Sequence, residues 1–303
     1  MISKFWNRFK GIIFTIISSL LLASTGVIIK TIDPNYPILQ LAAFRTSGQV
    51  LVIVPYVLTK QMDWFPFWDK KLILKLLGRG IFGSMGMVFY YTSLKYLSIV
   101  DASSILFAHS TVVNIFAWAF LGEKIDYVDI ILLITSFLGC FCISQPITLI
   151  NYLLGNVDSQ VITGILCAVL SLFLSAAAFT CIKSIGKSVN FMAINFWYST
   201  SGCILLNLYV FSQKKDYILP SYFDLMALSF LVISGLAAQM FRTLGIQNES
   251  VFVVSVTGSS QILFALAFDV FLFKEWPGYL TLTGISLILG AVILGLYRRK
   301  VVN

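Results

Sequence analysis

Stretches of about 20 apolar residues recur along this chain, each stopped by a charge, a proline or an asparagine, and nothing else in the sequence restricts the fold so strongly. Hydrocarbon offers no partner to a backbone N–H or C=O, so a run of that length in lipid must close its own hydrogen bonds as a helix. Ten runs are read, at about 11–30, 37–58, 72–94, 99–121, 127–147, 161–183, 191–212, 224–244, 250–273 and 278–297. Two short ends and nine connections remain, with no room for a soluble domain. Composition agrees. Of the 303 residues 58% are hydrophobic and 11% charged, and a mean hydropathy of +0.91 exceeds what a water-facing surface tolerates. Disorder is excluded too, since it needs low hydrophobicity and dense charge. The expected fold is an all-α membrane protein with ten transmembrane helices.

The first run follows Lys4, Arg8 and Lys10 and carries the small residues Ala23, Ser24 and Thr25, the outline of a signal peptide with its cleavage site. Its apolar stretch is long for that role, and it is read as a span. An even number of spans puts both termini on one side. Fifteen of the 21 Lys and Arg then fall on the terminal side and five on the other, with Arg45 inside a span. The positive-inside rule makes the termini cytoplasmic, in a plasma membrane or an endomembrane. The net charge of +8 is therefore mostly a topology signal, and no basic folded face invites nucleic acid.

The chain also resembles itself. Shifting 72–124 onto 224–276 pairs Gly83 with Gly235, Ser98 with Ser250, Ser103 with Ser255, Phe116 with Phe268 and Glu123 with Glu275 without a gap. Upstream, Leu21, Ala23, Ile29 and Lys30 pair with Leu174, Ala176, Ile182 and Lys183, and Thr46-Ser47-Gly48 recurs as Thr200-Ser201-Gly202. Two units follow, 1–150 and 151–303, each of five spans. Five is odd, so the second unit enters the membrane from the other side, an inverted repeat whose halves can exchange conformations around a shared site.

The stretch Tyr90-Tyr91-Thr92-Ser93-Leu94-Lys95-Tyr96, then Ala102-Ser103-Ser104-Ile105, then Gly122-Glu123-Lys124 before another apolar helix, resembles the EamA repeat of the drug/metabolite transporter superfamily. Arg45 matches the Arg of that repeat's second helix. Arg79-Gly80-Ile81-Phe82-Gly83, with Asp101-Ala102-Ser103 and Phe116-Ala117-Trp118 downstream, is similar to subfamily G of solute carrier family 35. The resemblance implies the EamA fold of two inverted five-helix repeats and a transport role. Members of that subfamily are proposed to move organic anions such as carboxylates, while the wider family spans nucleotide sugars and amino acids. The second half departs from the pattern, with Ser199 at the position of Arg45 and Arg242 at that of Tyr90.

Ionisable groups inside apolar helices cost about 2.5–3.5 kcal/mol each on insertion scales, so each needs a reason. Arg45 either caps carbonyls or pairs with an acid, or it contacts a substrate anion. His109 and Gln261 are repeat mates at the middle of spans four and nine. Both suit a central solute site, or simply hydrogen-bonded packing. Ser103, Ser110 and Asn114 share one stripe of span four, from which His109 points about 100° away. Tyr91 and Gln239, with Tyr90, are candidate walls. Arg79, near the cytoplasmic mouth of span three, either guides anions or snorkels. Asp269 is the one acid well inside a span, and coupling to protons is its sharpest reading. Gly78 to Gly83 spells G-x-G-x-x-G, but no strand precedes it, so Gly80, Gly83 and Gly86 are read as points of close helix approach.

Five Cys lie in apolar runs without a CxxC spacing, and a single His rules out a multi-His metal site. No metal or cofactor is expected. Neither H-E-x-x-H nor G-x-S-x-G occurs, which argues against an enzyme. The reading is a secondary transporter that moves a small polar or anionic organic metabolite by alternating access. The alternative is a non-transporting scaffold or regulator built on a carrier-derived fold. Its partners would be the solute and the lipid bilayer, with a homodimer left open.

Overall fold

The computed structural model describes the backbone except at residues 1, 33–35, 60–68, 95, 98–101, 103–104, 107, 125, 145–158, 213–217, 219, 275, 277 and 303, and the side chains except at these and at 2–8, 30, 38, 143–144, 159, 223, 269, 273, 296 and 298–302. Among the described residues the regular structure is entirely helical: α1 Ile2–Thr31, α2 Ile38–Thr59, α3 Lys70–Ser93, α4 His109–Phe116, α5 Tyr127–Ser144, α6 Ser159–Ile185, α7 Phe191–Ser212, α8 Tyr222–Asn248, α9 Val251–Gly258, α10 Ser260–Phe273 and α11 Tyr279–Val302. A π-helical turn, Ala117–Leu121, continues α4 and ends at Gly122, whose φ of 68° suits a residue without a Cβ. Among the described residues six rods are long and apolar enough to cross a membrane: Phe9–Ile29, Leu39–Thr59, Lys70–Ser93, Gln160–Ile185, Asp224–Asn248 and Val251–Leu272. His109–Leu121, Tyr127–Cys142 and Tyr279–Gly295 are shorter apolar helices. The run at 191–212 is helical as expected, but it falls outside both sets because Asn195, Ser199, Thr200, Ser201 and Asn207 dilute it.

Local signals set the starts. Asp69 accepts from Lys71 N at 2.9 Å and Leu72 N at 3.2 Å ahead of α3. Ser221 and Asp224 form a capping box ahead of α8. α8 runs to Asn248, four residues past the expected limit at 244. Within the rods, hydroxyls and amides turn back on their own backbone. Thr46 donates to Ala42 O at 3.1 Å, Thr180 to Ala176 O at 2.9 Å and Asn195 to Phe191 O at 2.8 Å. That is the cheapest way to satisfy a polar group in lipid.

The outward surface is apolar, with Leu51, Phe120, Phe271 and Ile293 exposed. The largest buried cluster draws Leu76, Val113, Phe179, Ile194, Ile246 and Val251 from α3, α4, α6, α7, α8 and α9. The most extensive helix packings are α3 on α6 and α1 on α8, followed by α5 on α11 and α2 on α7. Gly80 and Gly86 serve as close-approach points. A Cβ on Gly80 would meet Ser201 and Trp197 O of α7, and one on Gly86 would meet Ser175 of α6. Ser171 of α6 donates to Gly86 O at 2.7 Å across that contact.

The ninth expected span is one rod, Val251–Leu272, with a single distorted turn between α9 and α10. Ser259 stands at that turn, and the Gly258 carbonyl accepts from Ser19 of α1 at 3.3 Å, while Ser259 Oγ bonds Ser136 Oγ at 2.8 Å. The repeat mates His109 and Gln261 are the first residue of α4 and the second of α10, so each lies at a helix start inside the bundle.

Candidate functional site

Two cavities of about 250 and 230 Å³ share a wall made by Leu106, His109, Ser175, Phe179 and Arg242. The first continues to Arg45 from α2, Arg79, Tyr90 and Tyr91 from α3, Tyr198 from α7 and Gln239 from α8. The second continues to Ser110, Cys140, Ser255, Ser259 and Gln261. Of the residues singled out in the sequence, Arg45, Tyr91, His109, Ser110, Gln239 and Gln261 thus line one or both of the two chambers. The 100° between His109 and Ser110 does not separate them, because the chamber wraps around the start of α4. Asn114 sits apart: it is buried at 2% exposure, outside both linings, and its amide donates to Ser110 O at 2.7 Å. Ser103 and the side chain of Asp269 lie outside the described residues. Arg79 is not at a mouth. Only 4% exposed, it reaches into the first chamber.

The chemistry is dominated by three guanidiniums. Arg79 Cζ lies 4.2 Å above the Tyr198 ring, a cation–π stack, and its Nη2 donates to Gln239 Oε1 at 3.4 Å. Arg242 Nη2 donates to Gln261 Oε1 at 3.4 Å and its Nε to Ser18 Oγ at 3.5 Å. These contacts are long, near the limit at which a hydrogen bond retains strength. Arg45 Nε and Arg79 Nε are buried with no partner among the described residues. No described carboxylate lines either chamber. A guanidinium cannot shed its proton, so this pocket holds fixed positive charge with donors to spare. His109 packs edge-on against Phe179, ring centroids 5.8 Å apart.

Arg242 is the residue that sequence reasoning left out of the site. The sequence places it only at the position of Tyr90 in the other half, and its central place depends on how α8 is rotated. Tyr198, Ser171 and Ser175 had no distinguishing signal in the sequence. No group of three or more His, Cys, Asp or Glu is placed to hold a metal among the described residues, and none of the five cysteines is disulfide-bonded.

At one end of the bundle, Glu123, just after α4, meets two neighbours. Lys183 Nζ at the end of α6 lies 3.5 Å from its Oε1, and Val251 N at the start of α9 donates to its Oε2 at 3.1 Å. Lys183 also donates to the Glu249 carbonyl. Lys75 Nζ of α3 donates to Ser184 O at 3.0 Å nearby.

Apolar rods long enough to cross a bilayer, packed around a central cavity, mark an integral multi-pass membrane protein. The model of the EamA-like transporter family matches residues 9–145 and again 162–297. The chain belongs to that family. It is similar to solute carrier family 35 member G1 of Homo sapiens, 25% identical over 282 residues that cover 90% of this chain and 75% of that protein. The Mus musculus protein of the same name is 26% identical over 282 residues, covering 90% of this chain and 74% of that protein. The pseudopaline exporter CntI of Pseudomonas aeruginosa is 24% identical over 284 residues, 93% of this chain and 94% of that one. A solved crystal structure superposes on 98% of this chain and 99% of its own at a TM-score of 0.79 with 14% identity, which shows a common fold.

Proposed function

We propose that this protein is a secondary carrier for a small organic anion and works by alternating access between two inverted five-helix halves, 1–150 and 151–303. The observation that carries the anion reading is the trio of Arg45, Arg79 and Arg242 around one cavity with no described carboxylate. Uncompensated buried charge is costly, so an anion from solution supplies what the fold withholds. In this reading Arg45 and Arg79 hold one end of the solute and Arg242 with Gln261 the other, while Tyr91, Gln239, His109 and Ser110 fix its orientation. Asn114 holds α4 together, and Ser103 and Asp269 keep the expected roles of solute contact and proton coupling. Three relatives named as a solute carrier or an exporter support transport as the activity.

The packing supports the two-fold arrangement. Exchanging each span with the one five places on turns α3 on α6 into α8 on α1, and leaves α5 on α11 and α2 on α7 unchanged, and these are the most extensive contacts of the bundle. The distorted turn at Ser259 in span nine, beside Gln261 in the cavity lining, fits a midplane site in such carriers. Lys75, Lys183 and Lys124 gather at the end carrying Glu123, which supports one basic, cytoplasmic face with both termini on it.

Reconstitution into proteoliposomes tests the proposal. Uptake or exchange of radiolabelled organic anions is expected, organic cations of equal size are expected to be rejected, and Arg45→Gln is expected to abolish most of the flux. A correctly oriented preparation that exchanges nothing across a panel of mono-, di- and tricarboxylates, phosphate esters and amino acids would return the scaffold reading to first place.

A further inference from the structure

Gly83 and Gly235, which occupy the same position in the two halves, lie directly against guanidiniums of the central cavity. A Cβ built on Gly83 would collide with Arg79 Nη1 and come within 2.9 Å of the Tyr198 ring on which that guanidinium stacks. One built on Gly235 would lie 3.0 Å from both Cζ and Nη2 of Arg45, and closer still to its Nε. Arg79 reaches Gly83 from four residues back on the same helix. Arg45 reaches Gly235 from α2 across to α8. Different routes thus end at one matching notch in each half. Both arginines are buried, Arg79 at 4% and Arg45 at 7% exposure, and it is their Nε atoms that lack a partner among the described residues. An arginine held by neither an acid nor a full set of hydrogen bonds is free to swing, unless shape confines it. Here the bare backbone of each glycine supplies that shape.

The geometry points to Gly83 and Gly235 as positioning residues, a pair of seats that hold the Arg79 and Arg45 guanidiniums flat against α3 and α8 with their donors turned to the anion. This inference rests on the anion-carrier reading and names what sets its selectivity for charge geometry. The atom in the way of an added methyl is in each case the far end of a long flexible side chain. Gly235→Ala therefore displaces the charge and leaves the helix in place. Gly83→Ala does the same to Arg79 and also crowds Tyr198. Glycines of the bundle with nothing within 4 Å of a built Cβ, such as Gly290, provide the comparison.

The experiment has two readouts. In the first, purified protein is treated with phenylglyoxal, an arginine-selective reagent, and adducts on Arg45 and Arg79 are followed by peptide mass spectrometry. Gly235→Ala is expected to shift the rate at Arg45 several-fold and leave Arg79 as in the wild type. Gly83→Ala reverses that pattern, and Gly290→Ala changes neither. Equal shifts at both arginines in one variant, no shift, or no adduct on Arg45 in any protein would overturn the seats. In the second, exchange of the transported anion is measured in proteoliposomes. Gly235→Ala is expected to raise KM about tenfold with kcat nearly held, and to add less than about twofold when Arg45→Lys, which keeps the charge but lacks the guanidinium, is already present. A full additive cost in that background would mean that Gly235 serves only helix packing. Should the labelling pattern hold while no anion moves through wild-type protein, the carrier reading fails and the seats stand; the opposite combination removes the seats alone.

Discussion

Whether a polar residue in lipid is idle or available depends on where its last donor goes, and the described residues divide on that point. Thr46, Thr180, Asn114 and Asn195 spend theirs on carbonyls of their own helix. Arg45 and Arg79 retain a buried Nε with no partner. Arg242 stands in the wall common to both chambers with only long contacts to Gln261 and Ser18. Arg242→Gln should therefore weaken anion binding by about 1.5–3 kcal/mol, the worth of a hydrogen bond to a charged group, or roughly ten- to a hundredfold in Kd. Equilibrium binding of the transported anion measures it. Asn114→Leu removes a residue outside the lining and should leave that affinity unchanged. Arg79→Lys preserves charge but loses the planar stack on Tyr198, and should cost about 0.5–2 kcal/mol of the same affinity.

Helix ends and crossings give two expectations at the scale of the element. Glu123 ties the end of α4 to Lys183 of α6 and to the first N–H of α9, with both charged side chains about a quarter exposed. An exposed ion pair contributes about 0–1 kcal/mol and a carboxylate at a helix N-terminus about 0.3–1 kcal/mol. Glu123→Ala should lower the thermal unfolding midpoint only slightly yet loosen this mouth, read as faster maleimide labelling of a cysteine placed at Val253; unchanged labelling would show that the contact closes nothing. The α3–α6 crossing behaves differently, since Gly86 faces Ser175 and the Ser171 carbonyl with no slack. Gly86→Val should cost about 1–3 kcal/mol by overpacking, seen as a lower unfolding midpoint in detergent.

For the whole molecule, the expectation is that both termini share a side and that the halves trade places around the cavity. Cysteines substituted at Lys4 and Val302 should react with a membrane-impermeant maleimide from the same face of sealed vesicles; reaction from opposite faces would remove the inverted arrangement. Much of this level is legible in the amino-acid order. The helical class and the family follow from runs of apolar residues and from motifs such as Gly122-Glu123-Lys124, because in hydrocarbon a segment must satisfy its own backbone and so reveals itself locally. What only the tertiary structure decided is which side chains converge: Arg79 drawn from an expected mouth into the chamber, Arg242 at its centre, Asn114 turned out of it, and two glycines laid under guanidiniums. Those outcomes depend on the rotation and crossing of helices far apart in the chain, set by packing among many partners at once, and no single run of residues encodes them.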